Sequence, residues 1–220
     1  MPPVERVQQR TELLSGAQQG NEVILSWPAP RRNAPDESLQ SIRRIDVYRL
    51  AEKPGAPLAL TEEEFAARST LVGSVTYEQI RDAGDTLTYR DPLELAGQPT
   101  RLRYALRYVN ASGQRAAFSN FLSIEPAARI AQAPALSPSP RVSEDAITIT
   151  WAAPAANIDG STPVNLLGYN VYRMDESQND PNQSPINSAL ISGTEYADKS
   201  FQFGNNYRYL VRAVSLGTGG

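Results

Sequence analysis

Where this chain is strongly apolar, apolar and polar positions alternate with period two, the signature of half-buried strands. Residues 22–27 set Val23, Leu25 and Trp27 on one face, and Pro28 and Pro30 end the strand. Residues 42–50 read as the next strand, with Ile45 and Val47 toward a core and Asp46 and Tyr48 outward. Residues 101–110 carry the clearest alternation: Leu102, Tyr104, Leu106 and Tyr108 point one way, Arg101, Arg103 and Arg107 the other. Past the turn at 110–113, residues 118–124 read as a closing strand, and residues 2–11, with Pro2 and Pro3, as an extended edge strand. Two stretches break the period. Thr61 with Glu64 and Thr76 with Gln79 have capping-box spacing and predict short helices over 61–68 and 76–83, with a strand at 71–75 between them.

The pattern repeats. Ile24-Leu25-Ser26-Trp27-Pro28-Ala29-Pro30 and Val47-Tyr48-Arg49 recur as Ile149-Thr150-Trp151-Ala152-Ala153-Pro154 and Val171-Tyr172-Arg173, with both tryptophans and both Val-Tyr-Arg triplets offset by 124 residues. A repeat of that period means two related β domains, here 1–126 and 127–220, each large enough for its own core. The copies differ between their third and penultimate strands. Val47 to Tyr104 is 57 residues and Val171 to Tyr209 only 38, so the first domain houses an insertion, the one with the helix signals. Residues 127–140, rich in alanine, proline and serine, hold the link and the first strand of the second copy.

Composition narrows the chemistry. A net charge of −3 argues against nucleic acid and against an anionic membrane surface as partner. The chain has neither cysteine nor histidine, which removes disulfides, thiolate and imidazole metal ligands, and every histidine-based acid or base. No apolar run reaches the roughly 20 residues of a membrane-spanning helix, and the start lacks the basic and apolar regions of a signal peptide. Membrane association is therefore expected only through a leader or lipid anchor outside these residues.

The order Trp151-x-x-Pro154, Gly168-Tyr169-Asn170-Val171-Tyr172-Arg173, Thr194-x-Tyr196-x-Asp198 and Gly204-x-x-Tyr207-x-Tyr209-x-Val211 resembles a fibronectin type III domain of the bacterial kind. The resemblance implies an all-β protein of two tandem immunoglobulin-like sandwiches, the first with short helical insertions. It implies that Trp151 is a core tryptophan and that the Tyr207 hydroxyl closes a tyrosine corner. The first copy keeps Trp27, Val47-Tyr48-Arg49 and Tyr89-Arg90-Asp91, but Leu102 stands at its corner. The second copy reaches Gly220 with no final strand, so either a continuation of the polypeptide or another chain is expected to cover that edge. The pair is also similar to exported lipoproteins of soil-type bacteria, which implies a location in the periplasm or at the cell surface.

One candidate interaction face emerges, the outward side of the first domain: Arg44, Tyr48, Arg101, Arg103 and Arg107, with Asp46 among them. Arginine forks around a tyrosine suit an acidic protein, a glycan or a lipid headgroup, but they suit better a solvated sheet with cross-strand pairs. Asp175, Glu176, Asn179, Asp180 and Asn182 form an oxygen-rich loop without EF-hand spacing, and residues 157–160 read as a turn. Asn110-Ala111-Ser112 satisfies the glycosylation tripeptide. Glu62, Glu63 and Glu64 crowd a helix start, where the macrodipole explains them better than catalysis does. No nucleophile elbow, phosphate loop or dinucleotide fingerprint stands in its required context, so no cofactor and no catalysis are expected. The reading is a non-catalytic extracytoplasmic scaffold or protein-interaction subunit, such as an accessory subunit of a cell-envelope complex. The alternative is a spacer or carbohydrate-associated module of a larger secreted enzyme.

Overall fold

The structure is a computed structural model and describes residues 13–30, 42–94, 100–175 and 184–216. It divides into two compact units at Pro126/Ala127.

The first unit runs β1 (Ser15–Gln19), β2 (Glu22–Pro28), β3 (Ile42–Glu52), α1 (Glu62–Arg68), β4 (Thr70–Thr76), α2 (Tyr77–Asp82), β5 (Thr86–Pro92), β6 (Arg101–Asn110), β7 (Arg115–Phe118) and β8 (Leu122–Ile124). Two antiparallel sheets form, one ordered β1-β2-β5 and the other β4-β3-β6-β7, with β8 also on β6. Gly20 takes φ 57° in the two-residue turn that folds β1 onto β2, the positive φ such a turn needs at its first position. Val23, Leu25 and Trp27 of one sheet and Ile45, Val47, Tyr104 and Leu106 of the other are all buried, as their alternation predicts for inner faces. At Gly73 the sheets approach so closely that any side chain would overlap the Tyr89 ring, whose hydroxyl donates to the Val72 carbonyl at 2.7 Å.

Both helices begin where the capping boxes put them. Thr61 N–H donates to the Glu64 carboxylate at 2.9 Å and Glu64 N–H to the Thr61 hydroxyl at 3.2 Å; Thr76 and Gln79 repeat the exchange. The expected closing strand at 118–124 is instead two strands. Between β7 and β8, Ser119 Oγ takes the Leu106 N–H at 2.9 Å, and the Asn120 amide exchanges hydrogen bonds with the Leu14 backbone. Those polar side chains occupy backbone groups that a continuous ladder would have used. The edge strand expected at 2–11 lies outside the described residues.

The second unit runs β9 (Ala135–Leu136), β10 (Arg141–Val142), β11 (Ile147–Ala152), β12 (Gly168–Asp175), β13 (Glu195–Asp198) and β14 (Tyr207–Val214). One sheet is β10-β11-β13 with β9 also on β11; the other is the pair β12-β14. Its core gathers Ile149, Trp151, Tyr169, Val171 and Val211, with Trp151 edge-on to Tyr169 at 5.2 Å. The fold is therefore all-β, two fibronectin type III-like sandwiches with short helices inserted in the first.

Candidate interaction surface

The outward side of β3 and β6 is not the open arginine face that alternation alone implies. Arg101 and Arg103 are only 4% and 3% exposed, and both turn onto Glu52, the last residue of β3. Glu52 Oε2 accepts from Arg103 Nη2 at 3.0 Å and Arg101 Nη2 at 3.2 Å, while Arg68 of α1 reaches Oε1 at 3.5 Å. Carbonyls of the inserted segment accept further hydrogen bonds from both guanidinium groups: Ala56 and Pro57 from Arg101, Pro57 and Leu58 from Arg103. Burial by itself would raise the Glu52 pKa, but the two guanidinium groups outweigh it and hold the carboxyl below its ordinary value.

This corrects the expected face residue by residue. Arg101 and Arg103 are buried. Asp46, expected outward, is 1% exposed and accepts from Arg44 Nε and Ser74 Oγ, each at 2.7 Å. Arg44 remains a third exposed. Tyr48 is half-buried with its ring edge-on to Phe118 at 5.2 Å, and Arg107 lies over the same Phe118 ring at 4.5 Å while donating to the Ala116 carbonyl. The covering element is α1. Its Phe65 is fully buried and packs with Leu50, Ala105 and Phe118 into a second apolar cluster outside the sandwich core, with Tyr48, Leu60 and Phe121 around it. Glu62, at the helix start, takes the Phe118 N–H at 3.0 Å and so ties α1 to β7.

On the inner side both units contain one arrangement that strand periodicity does not reveal. Asp91 Oδ2 accepts from the Tyr104 hydroxyl at 2.6 Å and from Arg49 Nη1 at 2.8 Å. Asp198 Oδ2 accepts from the Tyr209 hydroxyl at 2.7 Å and from Arg173 Nη1 at 2.8 Å. Each aspartate stands at or one residue before the end of a strand of one sheet and each tyrosine and arginine stands on the other, so the triad joins the two layers. The signal was in the repeat: the arginine of each Val-Tyr-Arg and the aspartate of each Tyr-x-Asp recur together. Burial and the nearby carboxylates push both tyrosines well above their ordinary pKa.

The other candidates resolve into local structure. Gln202 N–H donates to the Tyr207 hydroxyl at 3.0 Å, the bond a tyrosine corner requires. Leu102 at the matching place is buried and pairs with Ile124. Asn157 is 1% exposed and its side chain binds backbone of Ser161, Pro163 and Asn165, holding a turn. The Asn110 side chain is engaged by Gln114 within its own turn. Among the described residues no group of three or more acidic side chains is placed to hold a metal ion. The side chains of the oxygen-rich loop, Asp175, Glu176, Asn179, Asp180 and Asn182, lie outside what is described.

On the outward side of the second unit, Tyr172 and Met174 of β12 stand beside Leu210 and Arg208 of β14, and Leu210 is 38% exposed. Arg212 lies over the Tyr172 ring at 4.7 Å.

No family model and no curated protein matches this chain. Among solved structures it is similar to the chicken CNTN1 FN1–FN3 domains, with 14% identity, 94% of this chain covered and a TM-score of 0.34. The match spans 62% of that chain.

Proposed function

We propose that this chain is a non-catalytic interaction or scaffold protein that works outside the cytoplasm, as an accessory subunit of a cell-envelope complex. One observation supports the reading most directly: among the described residues, charged groups on β3, β6 and β12 that could have lined a reactive site are used to hold each sandwich together. Arg101 and Arg103 are spent on Glu52, and Arg49 and Arg173 on the interlayer aspartates. Sandwiches of this class present strands and loops to other proteins, and their core polar groups are structural. The partner this reading calls for is a protein, with a glycan as the weaker alternative.

The test is isolation of the protein from its native source in mild detergent, with native-size analysis and cross-linking mass spectrometry. The expected result is a defined larger assembly with cross-links to an envelope protein. Migration at its own mass without cross-links overturns the proposal.

A further inference from the structure

We draw no further inference here: the strongest candidate, the exposed aromatic pair Phe201 and Phe203 in the loop between β13 and β14 of the second unit, with ring centroids 5.1 Å apart and Phe203 77% exposed, carries nothing because nothing in the structure shows what covers it.

Discussion

At the scale of single residues, Glu52 is the group on which the buried charge of the first unit depends. Two guanidinium groups and several carbonyls converge around one buried carboxylate, so its removal leaves Arg101 and Arg103 charged and buried without a counter-ion. Glu52→Ala is expected to destabilise the first unit by about 3–5 kcal/mol, the usual cost of breaking a buried pair from one side. The exposed pair Arg141–Glu195 is the control: Arg141→Ala is expected to cost less than about 1 kcal/mol. Denaturant melts of both variants distinguish the two cases. Asp198 gives a second prediction at this scale. Burial favours its neutral form, yet hydrogen bonds from Tyr209, Ser200 and Arg173 outweigh burial and hold its pKa below the ordinary value. A depressed folded pKa means the stabilisation is complete above the unfolded value of about 4 and is lost as pH falls through the folded one. Acidification below about pH 4 should therefore loosen the second unit, and Asp198→Asn should flatten that dependence. Hydrogen exchange at β12 and β14 across this pH range reads both effects.

At the scale of elements, α1 carries the difference between expectation and structure. It has only seven residues, too few to be stable alone, so the Thr61 cap and the burial of Phe65 must hold it. Phe65→Ala is expected to cost about 3–5 kcal/mol and Thr61→Ala about 1 kcal/mol, with β7 exchange rising in the first variant because Phe118 loses its neighbour. The start of α1 was legible in the sequence because a capping box is a local signal. The surface on which it lands was not, because nothing in the alternation of β6 distinguishes an arginine facing water from one facing a buried glutamate. Arg101 and Arg103 were read as surface because charged residues on the polar side of a strand are ordinarily solvated. The insertion supplies both the carbonyls and the apolar cover that make burial tolerable, and that is a tertiary fact. The split of the closing strand at Ser119 and Asn120 has the same cause, since both side chains satisfy backbone groups on distant segments.

At the scale of the whole molecule, the repeat indicates two units with separate cores, and each has one tryptophan, Trp27 or Trp151, at its centre. Both are nearly fully buried, and each sits on a central strand of its sheet, β2 between β1 and β5, and β11 paired with β9, β10 and β13. Removing either ring leaves a cavity that the flanking strands cannot close without breaking register, because a slip of one residue would turn the inner face outward. Trp27→Ala and Trp151→Ala are each expected to cost the host unit about 3–5 kcal/mol. Hydrogen exchange resolved along the chain should show the loss confined to β1–β8 in the first variant and to β9–β14 in the second. A cost below about 1 kcal/mol at either site would mean that the tryptophan is not the centre of its core. Equal loss of protection in both units from a single substitution would mean that they unfold as one cooperative body.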